Sequence, residues 1–137
     1  MDKKHITVEI FGNKLTLVPK LELYTVRDFT GKELPGLAVC LETEDGEEYN
    51  VLTVSFGEFI GVKNCAYIDA NNNDAETIKA FIDAGYMKDI GYTKHSGFCV
   101  YPLYLFNEDF LKAIGEDNYT TYSNAYDACF AEYEEEC

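Results

Sequence analysis

A chain of 137 residues, 47 % of them hydrophobic, can bury one core without a disulfide or metal, and 11 Tyr and 9 Phe with no Trp point to a core built on rings. Its 25 acids against 11 bases leave a net charge of −14, which excludes a simple phosphate-binding surface, because nucleic-acid affinity rests on Lys and Arg that displace counterions. The basic start MDKKH passes at once into polar–apolar alternation, unlike a signal peptide. With no apolar run of about 18 residues either, a cytoplasmic protein with no membrane partner is expected.

Residues 5–11 and 14–20 alternate with period two around Gly12-Asn13, which predicts a hairpin, and 21–28 follow as a third strand. Turn residues over 28–36 predict a loop; 37–43 and 48–56 then form a second hairpin about Asp45-Gly46. Residues 65–69 read as a short strand. Asn73 with Glu76 three positions on has capping-box spacing, Gly85 marks the stop, and Ile78, Phe81 and Ile82 share one helical face between them. Another strand is predicted over 98–106, and a helix over 107–115 capped by Asn107 and ended by Gly115. Tyr122, Ala125, Tyr126, Cys129 and Tyr133 stripe an amphipathic helix over 120–134, and the end YEEEC is expected to fray. The sum is one domain over 1–137, sheet-rich over 1–69 and helix-strand-helix-helix over 70–137. Its class is α+β: a curved, mostly antiparallel sheet of five to seven strands with about three helices, mainly C-terminal, packed on one face.

The strand over 98–106 is apolar on both faces, and Pro102 places it at a sheet edge or at a bulge. At an edge it could pair with another chain, an edge-strand dimer included. The charge is uneven as well. From Asn107 onward nine acids face Lys112 alone, or −8 of the −14, so an acidic C-terminal surface is either solvated or a contact for a basic partner.

Five widely spaced cysteines with no CxxC pair predict reduced thiols, and two histidines form no metal motif; no metal or cofactor is expected. Asp69, Asn71 and Asn73 alternate as in a calcium loop, but Asp74 stands where that loop needs Gly and Ala80 where it needs Glu. His95 and Cys99 could form a thiolate–imidazolium pair only if a turn at Ser96-Gly97 folded them together, since four extended steps span about 13 Å. The candidate ligand or interface residues are therefore Asp69, Asn71, Asn72, His95, Ser96, Cys99, Tyr101 and Tyr104, none of them assigned a catalytic role.

Residues 68–107, with Asp69, Asn71 and Asn72 in an Asn-rich turn and then Ser96, Gly97, Phe98, Cys99, Tyr101, Pro102, Leu103, Tyr104 and Phe106, resemble the small bacterial family known as domain of unknown function 4313. Residues 37–56 are similar too, while 108–137 read as two helices added to the family pattern. The resemblance implies one compact bacterial domain in a mobile-element setting and no catalytic residues. Three functions stay open. One is a non-enzymatic protein-interaction module of a bacterial mobile element or its host, motivated by surplus tyrosine. Another is an acidic nucleic-acid mimic that inhibits a defence or DNA-binding protein. The third is a small-ligand binder or enzyme with a site near Asn71, His95 and Cys99.

Overall fold

The computed structural model describes residues 5–10, 12–27 and 31–136. Among them are eight strands and three helices: β1 (Ile6–Ile10), β2 (Asn13–Arg27), β3 (Glu33–Thr43), β4 (Glu48–Val51), β5 (Thr53–Val54), β6 (Cys65–Ile68), α1 (Ala75–Asp83), β7 (Met87–Ser96), β8 (Cys99–Phe106), α2 (Glu108–Gly115) and α3 (Asp117–Glu136). The α+β class, the antiparallel pairing and the three helices are as the sequence leads one to expect. The strands, however, divide into two sheets, ordered β1-β2-β3-β4 and β5-β6-β8-β7.

The division falls at Leu52. The expected strand over 48–56 is broken there, and the chain passes from one sheet to the other. Leu52 N–H donates to Val39 of β3 at 2.8 Å while its carbonyl accepts from Asp69 N–H, just past β6, at 2.9 Å. Leu52 is itself fully buried. The corner is thus satisfied in both sheets, which a buried backbone requires.

The last four residues of the expected loop over 28–36 are strand. β2 and β3 pair without interruption from Leu17↔Thr43 to Arg27↔Glu33, so Pro35 and Gly36 sit inside a ladder; residues 28–30 lie outside the described residues. All three prolines of the chain are in strands, and Pro35 and Pro102 stand where, among the described residues, one side has no ladder partner; the chain that would continue β1 opposite Pro19 lies outside the described residues. β4 meets β3 only at Cys40–Glu42, beyond Pro35. β6 meets β8 only at Leu103–Leu105, beyond Pro102. Proline lacks an N–H to donate, and these are the positions where none is needed on one side. β8 is accordingly an inner strand over Leu103–Leu105 and has one free side at Pro102, as expected of an edge position. Its partner β7 is the edge and carries an irregularity between Asp89 and Thr93, so the bulge expected at Pro102 is present on the facing strand.

Leu17, Leu21, Leu37, Val39 and Leu41 of the first sheet meet Ala66, Ile68, Tyr104 and Phe106 of the second in one core, closed by Phe81 of α1, Phe110 and Leu111 of α2, and the α3 stripe. Tyr119, Tyr122 and Tyr126 of that stripe are buried, so these tyrosines pack the core rather than offer a surface. Their hydroxyls fix the 60–64 segment. Tyr119 donates to Asn64 Oδ1 at 3.0 Å, Tyr122 accepts from Asn64 N–H at 3.0 Å, and Tyr126 donates to the Ile60 carbonyl at 2.7 Å. Ala125 is exposed, α3 runs through Glu136, and the Tyr133 side chain and Cys137 lie outside the described residues.

Two end signals act differently from their expected roles. Gly115 ends α2, but the positive φ of 49° falls on Glu116. Gly115 is there for proximity: a Cβ at that position would run into Cδ2 of Leu21 and lie 3.1 Å from its Cβ. At α1 the N-cap is Asp74, not Asn73, with no side-chain cap. No helix of the described residues is long and apolar enough to cross a membrane.

Candidate functional site

The Asn-rich turn at 69–73 closes on itself. The Asp69 carbonyl accepts from Asn73 N–H at 3.1 Å, and its carboxylate accepts from Asn72 Nδ2 at 2.9 Å. Asn73 is buried and points inward, which is why it does not cap α1. Its Nδ2 donates to Val51 of β4 at 3.0 Å and to the Asp69 carbonyl at 2.9 Å, while its Oδ1 accepts from Asn50 Nδ2 at 3.1 Å. Asn50 also donates to the Asn72 carbonyl. One carboxamide therefore ties the last strand of the first sheet to the turn leaving the second. The alternation that suggested a calcium loop serves here as a clamp across the seam.

The turn between β7 and β8 is Gly97-Phe98, with Ser96 opposite Cys99. Gly97 has φ +62° and Phe98 an ordinary negative φ, the pattern of a type II′ hairpin turn. The resulting register puts His95 opposite Val100, so His95 and Cys99 project from opposite faces of the ribbon. No thiolate–imidazolium pair follows from this geometry. What gathers instead is Asn71, Cys99 and Tyr101, with Asp69 near. Desolvation, a hydrogen bond with Cys99 and the Asp69 carboxylate push the Tyr101 hydroxyl above its usual pKa, against an opposing hydrogen bond from Asn71. At neutral pH that phenol stays a proton donor. Tyr104, opposite Ala66, is buried, and burial followed by the Asp89 charge raises its pKa too; Ser96 and Asn72 are exposed. Among the described residues no group of three or more His, Cys, Asp or Glu is placed to hold a metal ion.

Sequence reading overlooked the hairpin itself. Between Cys99 and Pro102, β8 pairs with β7 alone, so the two strands run past β6 as a two-stranded ribbon. One face of the ribbon is braced. The Tyr101 ring meets Phe56 edge-on at 5.0 Å, Phe56 meets Tyr67 at 5.4 Å, and Lys94 lies 5.5 Å over Phe56 while pairing with Glu58 at 2.8 Å. The ribbon carries bare apolar groups: Phe98 at the tip is 107 % exposed and Val100 beside the turn 44 %, while Tyr92, further back on β7, is 64 % exposed. The signal for this was faint, because KDIGYTKHS carries few apolar residues and no alternation, and an exposed Phe reads in sequence like a buried one.

Two four-stranded antiparallel sheets joined at a corner, with helices closing the core and a braced hairpin standing out from one sheet, make this an α+β domain. The chain belongs to the family Domain of unknown function (DUF4313), whose model matches residues 25–126. The match takes in α2 and half of α3, so most of what reads as a C-terminal addition is part of the family domain. Neither a curated protein nor a solved structure matches the chain.

Proposed function

We propose that this protein is a non-enzymatic interaction module of a bacterial mobile element or its host, which docks a protein partner through the tip of the β7–β8 hairpin. The observation that carries the reading is Phe98, a large apolar side chain held bare at the apex of a braced two-stranded ribbon, with exposed Val100 two residues on and exposed Tyr92 further back along β7. Leaving such groups in water forgoes burial worth roughly 2 kcal/mol or more for a ring of this size, and aromatic anchors inserted into a partner's recess dominate many interfaces. The bracing by Phe56, Tyr101, Lys94 and Glu58 supports this further, since a pre-formed anchor loses little freedom on binding. The partner is a protein with an apolar recess. The acidity of the rest of the surface favours a basic rim around it.

Nucleic-acid mimicry is less well supported, because lysines interrupt the acidic helices: Lys63 pairs with Asp127, Lys32 with Glu132 and Lys112 with Glu108. Parallel affinity capture with the wild-type protein and Phe98→Asp tests the choice. A partner retained by the wild type at raised salt and lost by Phe98→Asp supports docking through the tip. Equal capture by both, released by salt, favours mimicry, and no capture by either counts against the proposal.

A further inference from the structure

At the far end of β7, nine steps or about 30 Å from the hairpin tip, lies an open groove of about 510 Å³. It is bordered by Ile82 and Gly85 behind α1, Met87 and Lys88 at the start of β7, Leu105 of β8, and Glu108 at the start of α2. The volume is that of a small-molecule site. By contrast, the enclosed space beneath Tyr24 and Tyr122 holds about 30 Å³, room for water only.

The groove wall is mixed: Ile82, 40 % exposed, Met87, Leu105 and Phe106 make its apolar part, and Asn64 and Asn107 add uncharged polar groups. Its two charges have opposite sign. Lys20, Lys32, Lys63, Lys79, Lys94 and Lys112 each have a carboxylate partner, whereas Lys14 and Lys88 form no ion pair among the described residues, and of these two only Lys88 borders the groove. An unpaired ammonium beside apolar side chains is suited to an anionic group on an apolar body. Glu108 is approached from one side: Lys112 lies 3.7 Å from its Oε1, and Tyr119 Oη, whose proton goes to Asn64, lies 3.4 Å from the same oxygen, which leaves Oε2 for a cation.

We propose that this groove binds a small zwitterion with an apolar body, a short apolar peptide with both termini free, its carboxylate on Lys88 and its ammonium on Glu108. The site is independent of the hairpin tip, and loss of either leaves the other standing. The probe is the dipeptide Leu-Leu, titrated into ¹⁵N-labelled full-length protein and followed by amide shifts, beside N-acetyl-Leu-Leu, which lacks the ammonium, and Leu-Leu amide, which lacks the carboxylate. The expected result is shifts confined to Ile82, Gly85, Lys88, Leu105, Glu108 and their neighbours, with each blocked peptide binding about tenfold weaker or worse. Lys88→Gln should abolish the preference for the free carboxylate and Glu108→Gln that for the free amine, each leaving the other preference intact. Both side chains are exposed, so the fold survives either change. An absence of shifts at about 10 mM dipeptide, equal binding of the three peptides, or preferences unmoved by the substitutions would overturn the proposal.

Discussion

Replacing Asn73 by Asp is isosteric and leaves the Asn50 contact in place, but it removes both donors that Asn73 Nδ2 supplies to the Val51 and Asp69 carbonyls. The Asp69 carbonyl keeps the Asn73 N–H, so the cost is that of two lost hydrogen bonds, at about 1 to 1.5 kcal/mol apiece. A carboxylate pressed against two carbonyl oxygens adds a desolvation and repulsion cost of similar size, for a total of about 3 to 4 kcal/mol at neutral pH. With a urea m-value of roughly 2 kcal/mol/M for a domain of this size, the midpoint should drop by about 1.5 to 2 M at unchanged m. The pH dependence has a definite sign. The new carboxyl is stabilised in its protonated form in the folded state, so its folded pKa lies above its unfolded value. The deficit against wild type is therefore largest at neutral pH and shrinks as pH falls through the folded pKa. Asn124→Asp, exposed on α3, adds the same charge and should cost no more than about 0.5 kcal/mol. An Asn73→Asp protein within about 0.5 kcal/mol of wild type, or a deficit that ignores pH, would refute the clamp between the sheets.

Gly115→Ala exchanges a helix-propensity gain of about 1 kcal/mol for overpacking against Leu21 of about 1 to 3 kcal/mol, so urea unfolding should show a net loss of about 1 to 2 kcal/mol. Phe98→Ser should leave the unfolding midpoint unchanged within about 0.5 kcal/mol, because the ring is bare in the folded state; a larger loss in chemical denaturation would place it in the core instead. Burial pushes the Cys65 thiol from 9.0 up to about 11 and Tyr126 from 10.0 up to about 12, and raises Tyr122 as well. All three are neutral acids with raised folded pKa values, so the stability they contribute is whole below pH 9 and is lost as pH rises through the window from about 9 to 12. Tyrosine absorbance and unfolding followed together over that window should show late ionisation of the α3 tyrosines coupled to unfolding, rather than free titration near 10.

Class, pairing and helix positions were legible in the sequence because they rest on local signals. Asn107 does accept from Phe110 N–H at 2.9 Å, and the positive φ of Gly85 does follow the end of α1. What stayed hidden depends on partners distant in the chain. Pro35 and Gly36 look like a loop until β2 is laid beside them; the Tyr24 ring then lies over Gly36, where a Cβ would stand 2.5 Å from it. Nothing in EYNVLTV marks Leu52 as a corner between sheets. β7 escaped notice because an edge strand with exposed faces has no apolar period to detect. At the candidate site the Asn-rich turn and the 95–107 stretch stand out in the sequence, yet alternation along the chain could not show that the hairpin register sends His95 and Cys99 to opposite faces. Tyrosine content pointed toward an interface, whereas burial assigns the α3 tyrosines to the core and leaves Phe98 and Tyr92 outside it.

The hairpin tip as contact surface is tested most directly by placing a photo-crosslinking phenylalanine analogue at position 98 and irradiating cells that express the protein. A discrete adduct from position 98, absent when the same analogue stands at exposed Lys79 and abolished by adding Val100→Asp, is the predicted result. Adducts that form equally well from both positions, or from position 79 alone, would contradict docking through the tip.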